Sequence, residues 1–519
     1  MTATGSQRGT GALASLAVAM RSRRTAFVVL QMFASGLPLG LVWYSIPDWM
    51  RDSGVDIRVV GLVTLAQAPW AFKVLWSPLM DRYVPPFWGR RRGWMAVTQI
   101  ALLALGLLLA GVGDDPEAVW VIGALALAIA VASASQDVAI DAYAVEVLQR
   151  DEQGVASGAR IAMYRVALLV SGGMAISLAA RLGWPMVNAL LALLFLPILF
   201  VTWRSPEPEI QPAPPPTMRD AVWLPFLSFL TRRQALEILA FVILYKLGDN
   251  LAQALTLPFL IDMGYSADHR SLSRAVSVFM VVGGSVVGGW VTTLAGLGHA
   301  LWIFGLLQLF SNAGYLWLSL LDAPHLPAMY AATSFEQLTT GMGTGAFAVL
   351  LLRLTERQFS ATQYALFSSL FALPRVVAGP VTGFAVAAIG WPAFYLATMV
   401  VGVPGLVMLA RFAPPGVREP HLDAGAAPAA TLLPPTRSGL AARALLSGTL
   451  VAAASLLLLA TLDAMEAMQS ATGTGFDLVA ALGRLSRPAA VGDWVELGGV
   501  LAFAVVSGVF LAAARLRRR

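Results

Sequence analysis

The chain has 519 residues, 58% of them hydrophobic and 12% charged, with a mean hydropathy of +0.72. A soluble globular domain carries about 25% charged residues, so the composition excludes that class and, with its many long apolar runs, indicates an all-α polytopic membrane protein in a lipid bilayer. It has no cysteine, which excludes a disulfide framework and thiol chemistry, and its net charge of +6 comes from arginines at predicted helix ends, a topology signal and not a nucleic-acid footprint.

Residues 1–24 read as a cytoplasmic tail. The apolar run Gly11–Met20 is followed, not preceded, by Arg21, Arg23 and Arg24, the reverse of a signal peptide. The first predicted span is Thr25–Trp49, broken at Gly36-Leu37-Pro38, and the second is Arg58–Leu79. A basic loop follows, with Asp81-Arg82-Tyr83 and then Gly89-Arg90-Arg91-Arg92-Gly93. The third to sixth spans are Trp94–Val112, Ala118–Leu148, Val155–Ala180 and Pro185–Trp203, closing a bundle at 25–203.

Residues 204–233 are proline-rich and end in Arg232-Arg233, the composition of a semi-rigid linker; its segment Ala221–Leu230 is expected on the membrane surface. A second set of six spans occupies 234–412, at Gln234–Ile261, Leu272–Leu294, Ala300–Leu321, Ala328–Leu354, Ala361–Ile389 and Pro392–Phe412. A Pro/Ala-rich stretch, 413–439, leads to two further spans in 440–519, Leu440–Met465 and Trp494–Ala514, and a basic end. Fourteen spans place both termini on one side, and the arginine bias makes that side cytoplasmic. Two six-span sets around a polar linker suggest a parallel repeat.

The stretch Ser133-Ala134-Ser135-Gln136-Asp137-Val138-Ala139-Ile140-Asp141-Ala142-Tyr143 carries the strongest chemical signal. Its aspartates are four residues apart, hence on one helix face. A carboxylate inside a membrane helix costs roughly 2.5–3.5 kcal/mol on insertion scales, so it ordinarily faces a wet cavity or a partner. An acidic helix end at the membrane surface is the plainer alternative. Lysine is also rare here: Lys73 and Lys246 are the only two, and both fall within predicted spans.

An acid-arginine pair, a glycine and a run of arginines after the second span resemble the loop between helices 2 and 3 of the major facilitator superfamily. In that family the acid and arginines tie helix ends together and hold one face closed. Asp81, Arg82, Gly89, Arg90 and Arg91 fit, with Arg92 beside them; Tyr83–Trp88 lengthen the loop and Ser77-Pro78 replaces the usual glycine. Further runs resemble the AmpG-type muropeptide permeases. They include Ser35-Gly36-Leu37-Pro38-Leu39, the run Phe72–Tyr83, the Ser133–Tyr143 stretch and Tyr164-Arg165. Later in the chain come Tyr245-Lys246-Leu247-Gly248-Asp249, Ser311–Tyr315, Phe335-Glu336 and Phe359–Leu366. The likeness covers about 25–412, and the family's extra C-terminal pair of spans is matched too. One departure stands after Tyr143, where Ala144-Val145-Glu146 replaces a basic residue and a nearby aspartate.

The resemblance implies a major facilitator fold, with two pseudo-symmetric six-helix bundles plus two helices. It also implies a monomeric proton-driven permease of the bacterial inner membrane that takes up cell-wall sugar-peptides, without a cofactor. An anionic sugar-peptide needs cations for its carboxylates, amides for its polar groups and aromatic faces for its rings. Lys73, Lys246 and Arg165 are the expected anion contacts. Each has a structural alternative: snorkelling for Lys73, an i, i+3 pair with Asp249 for Lys246, and an ion pair with Asp137 or Asp141 for Arg165. Gln67, Gln136, Asn250 and Gln363 are candidate amide contacts, against helix–helix hydrogen bonding, which is favoured for Asn312. Tyr164 is a candidate stacking partner, Tyr143 more a packing residue, and Arg375 beside Pro374 is a cavity or gate residue.

Proton coupling needs a carboxylate whose proton affinity rises on burial and falls on opening or pairing. Asp137 and Asp141 lead, with Glu336 and Asp249 behind them. The histidines His269, His299, His325 and His421 are expected in solvated loops or the linker and form no metal spacing. The glycine pairs lack the Lys-Ser/Thr of a phosphate loop. The competing functions are the same fold with another cargo (a siderophore, an acyl-CoA-like ester or a drug), a membrane-embedded transferase or hydrolase, and a non-transporting sensor.

Overall fold

A computed structural model describes residues 21–55, 60, 64–112, 118–209, 212–230, 232, 234–420, 437–469 and 477–487, with positions 497, 500, 501, 504 and 508. The apolar run Gly11–Met20 of the expected tail, most of the span at Trp494–Ala514, His421 and the side chain of Arg375 lie outside the described residues.

The described elements are all helices. Apolar runs with no water to satisfy their backbone must bond within the segment, and a helix does so. In chain order they are α1 Arg23–Asp52, α2 Ala68–Phe72, α3 Ser77–Arg82, α4 Arg90–Gly111, α5 Val119–Val147, α6 Gln153–Leu182, α7 Trp184–Arg204 and α8 Met218–Leu230. There follow α9 Ala235–Leu244, α10 Leu247–Ala254, α11 Thr256–Asp262, α12 Ala267–Ala295, α13 Leu297–Ser319, α14 Leu326–Leu354 and α15 Ser360–Phe412. Last come α16 Arg437–Gln469 and α17 Leu478–Ser486. Among the described residues nine helices are long and apolar enough to cross a membrane, or ten if the bent pair at α14 and the start of α15 counts as one. Side chains such as Trp120, Phe279 and Phe310 project outward, as lipid-facing positions require.

Three expectations about the spans are corrected. The first span does not break at Pro38; α1 continues through it, and the irregularity is a π turn at Leu41–Ser45. The second is not one helix: 3₁₀ turns alternate with α2 and α3, each opened by a proline (Pro69, Pro78) whose missing N–H suits a helix start. The seventh is cut into α9, α10 and α11 at Tyr245-Lys246 and Leu255. The last two spans of the second set, numbered together as α15, are two helices that part at Gly390, where φ is +74°, within the expected boundary between Ile389 and Pro392. The linker segment at α8 is packed rather than laid on a surface: Phe226 to Leu230 are buried, and Phe229 meets Phe367 edge-on at 4.9 Å between centroids. Two of the histidines are helical instead of in loops, His269 in the first turn of α12 and His299 within α13, whereas His325 caps α14 from the extended, exposed residue before it, as expected.

The two sets of helices meet most closely where α6 crosses α12. A Cβ on Gly158 would lie 2.3 Å from the carbonyl oxygen of Ser285, and one on Gly154 would lie 2.7 Å from that of Gly289. Only glycine permits this approach. Gly158→Val is therefore expected to force the helices apart at a cost of about 1–3 kcal/mol. Cross-linking between cysteines placed at Ala159 and Val286 checks it: a yield equal to that without the valine would refute the tight contact.

Candidate functional site

Three polar clusters lie inside this bundle, one at its arginine-rich end and one within each set of helices.

At the arginine-rich end, Asp81 closes α3 and is completely buried. Its carboxylate accepts from Arg91 Nη2 (2.6 Å), from the backbone N–H of Ala361 (3.2 Å) and Thr362 (2.8 Å), and from Thr362 Oγ1 (2.7 Å). A helix of the first set thus caps the N-terminus of α15 in the second set, where free N–H groups and the helix dipole favour an anion. Arg91 is held through every nitrogen: Nε donates to Glu146 (2.7 Å), Nη1 to Met80 O (3.1 Å) and Nη2 also to Ser360 Oγ (2.7 Å). Glu146 further accepts from Arg90 (2.9 Å) and Ser360 Oγ (2.6 Å). The residue that departs from the family pattern is therefore the second acid of this junction. Arg353 of α14 adds a contact to Gln153 at the start of α6 (3.1 Å). Arg92 instead holds the linker through Glu207 and Ser205 O, and Arg82 lies over the Tyr83 ring.

Within the first set, Asp137 and Asp141 project from one face of α5, as their spacing required. Asp137 accepts from Ser35 Oγ of α1 at 2.6 Å. Asp141 is paired with Arg160 of α6 and lies 3.7 Å from Lys73 Nζ. Lys73 is buried, so it does not snorkel. Arg160, not Arg165, is the ion-pair partner. Arg165 makes no ion pair among the described residues, and its Nε is buried without an acceptor. Tyr364 of α15 faces Arg160 across the junction. Gln136 is fully buried with neither end of its amide bonded to a described residue. Gln67 and Tyr164 are half-buried, and the hydroxyl of Tyr143 donates to Pro206 O, a packing role.

Within the second set, Lys246 at the break between α9 and α10 donates to Asp249 Oδ2 at 2.9 Å, the i, i+3 pair. Glu336 of α14 is completely buried and accepts from Gln337 Nε2 (2.7 Å), Tyr315 OH (3.3 Å) and Thr340 Oγ1 (3.0 Å). Asn250 donates to Lys246 O (2.8 Å). Gln363 is committed elsewhere: it donates to Pro225 O and Ser228 Oγ and accepts from the N–H of Glu356, fastening α8 to α15.

Sequence reasoning missed Arg160, Ser35, Ser360, Thr362 and Thr340 as site residues. Arg160 carried a usable signal, since an arginine inside an apolar run demands an acid partner; the hydroxyls carried none. Chemically, the first set sets Asp137 and Asp141 against Lys73 and Arg160, with Arg165 as a further cation, and the second sets Asp249 and Glu336 against Lys246. Among the described residues no group of three or more His, Cys, Asp or Glu could hold a metal ion.

Comparison with known proteins adds four findings. The Major Facilitator Superfamily model matches residues 28–375. The chain is 43% identical over 389 residues to the anhydromuropeptide permease of Escherichia coli, covering 74% of this chain and 79% of that one. It is 29% identical over 387 residues to putative transporter AmpG 4 of Rickettsia conorii, covering 72% and 93%. In fold it is similar to the human organic anion transporter MFSD10, with a TM-score of 0.58 at 15% identity, covering 75% of this chain and 99% of that one.

Proposed function

This chain belongs to the AmpG-type permeases of the major facilitator superfamily, and on that premise we propose that it imports anhydromuropeptides across the bacterial inner membrane. The cargo is N-acetylglucosamine–anhydro-N-acetylmuramic acid with or without its peptide, the driving force is the proton gradient, and the role is peptidoglycan recycling. The chain is a transporter, not an enzyme. The observation that carries the cargo reading is the 43% identity to a permease of that name over 389 residues.

The polar interior supports it. The cargo is anionic, and Lys73 and Arg165 offer positive charge inside the first set, with Lys246 in the second. The amide of Gln136 is buried beside Asp137 without a bond to a described residue. Buried donors and acceptors of this kind are costly unless something polar meets them. The arginine-rich end is the cytoplasmic end, with both termini on that side and the protein working as a monomer. There the Asp81–Arg91–Glu146 junction latches the two halves, and alternating access requires it to open when cargo is released inside.

The test is uptake of labelled anhydromuropeptide into proteoliposomes with and without an imposed proton gradient. Gradient-dependent accumulation is expected. Purified, folded protein that neither accumulates nor exchanges this cargo would overturn the cargo assignment and leave the family intact.

A further inference from the structure

Thr340 stands between the two carboxylates of the second set. Its Oγ1 is 3.0 Å from Glu336 Oε1, one turn earlier on α14, and 3.3 Å from Asp249 Oδ2 on α10. It also accepts from Gln253 Nε2 at 2.8 Å. Other threonines of α14 turn their hydroxyls back to their own helix: Thr333 to Met329 O, Thr339 to Glu336 O and Thr344 to Thr340 O. Thr340 instead has its hydroxyl between two acids. A hydroxyl carries one proton and two lone pairs. With the Gln253 amide donating into it, its own proton is left for one carboxylate at a time.

We propose that Thr340 is the relay residue of a proton site in the second set, carrying a proton between Glu336 and Asp249. The inference rests on the proton-driven reading above and adds a second site to the one at Asp137. The step balances without a co-reactant. The O–H bond of the protonated Glu336 breaks as Oγ of Thr340 takes that proton. The Oγ–H bond aimed at Asp249 breaks as the Asp249 carboxylate takes its proton. Rotation of the hydroxyl resets the relay. A proton shared between the two carboxylates lowers their mutual repulsion.

The surroundings fit. Lys246 is the cation bonded to Asp249 and Tyr315 donates to Glu336, while Tyr395 lies near Glu336 and Tyr245, whose hydroxyl donates to Leu301 O, lies near Asp249. Asp249 also borders a cavity of about 20 Å³, room for one water. Gln308 and Asn312 line that cavity. Their buried side-chain oxygens accept no hydrogen bond from a described residue.

The experiment uses full-length protein in proteoliposomes with labelled anhydromuropeptide and an imposed gradient of about one pH unit. Accumulation is divided by the rate of gradient-free exchange for the wild type, Thr340→Val and Thr340→Ser. A proton that crosses with the cargo adds about tenfold to accumulation at that gradient. Valine keeps the shape and loses the hydroxyl, so its quotient should fall about tenfold, while serine should keep the wild-type value. A valine quotient equal to wild type, or a serine quotient as low as valine, would overturn the relay. Wild-type protein that exchanges cargo without accumulating it would instead overturn proton coupling, and the relay with it.

Discussion

Asp81→Asn is expected to release the arginine-rich end of the protein. Asparagine presents one N–H₂ where Asp81 accepts four hydrogen bonds, so it meets backbone donors of α15 with a donor of its own. It also removes the negative charge from the helix N-terminus and leaves Arg91, which is buried, with one acid instead of two. Breaking a buried pair by removing one partner costs about 3–5 kcal/mol. The pair itself lies within the first set, but the same carboxylate's bonds from Ala361 and Thr362 cross to the second set, and hydrogen bonds to a charged acceptor contribute about 1.5–3 kcal/mol each, so that part of the cost falls on the closed arrangement. A shift of about 3 kcal/mol changes the open-to-closed ratio by roughly a hundredfold. The chain has no cysteine, so one introduced at Ser285, completely buried against Gly158, reports opening directly. Its maleimide labelling should accelerate in the Asp81→Asn background, and proton-driven uptake should fall by at least about tenfold. An unchanged labelling rate would remove the latch.

The two aspartates of α5 should separate on substitution. Asp141 balances Arg160 and lies near Lys73, so Asp141→Asn leaves buried positive charge uncompensated. The expected cost is about 3–5 kcal/mol, seen as a lower yield of folded protein and a lower melting temperature. Asp137 has Ser35 as its bonded partner, and the asparagine carbonyl can accept that same bond. Asp137→Asn should therefore reach the membrane in normal amount, keep cargo exchange and lose gradient-driven accumulation by at least about tenfold. Comparable yields for the two variants would refute the structural role of Asp141. Full accumulation in Asp137→Asn would move proton coupling of the first set elsewhere.

The departures from the sequence reading come from contacts between segments far apart in the chain. Glu146 looked like a deviation in a motif, and its meaning depended on Arg90 and Arg91, more than fifty positions earlier, folding back beside it. Arg160 was passed over for Arg165 because both lie within one apolar run; helix rotation decides which of the two meets Asp141. Gln363 is an amide in a family motif, but its partners Pro225 and Ser228 come from the linker helix, whose docking no periodicity announces.

What the sequence determined by itself is what depends on solvent and on neighbours along the chain. Apolar length and the scarcity of charge required membrane helices, arginine placement marked one end, and the four-residue spacing put Asp137 and Asp141 on one face. Ordered motifs identified the family. What only the tertiary structure decided is which buried charge meets which. The capping of α15 by Asp81, the pairing of Asp141 with Arg160 and the place of Thr340 between Glu336 and Asp249 all join separate helices. Such contacts are set by how helices rotate and approach, with glycines at Gly154, Gly158 and Gly289 allowing the closest approach. A buried charge needs a partner by electrostatics alone, but the partner's position in the chain is fixed only when the helices pack.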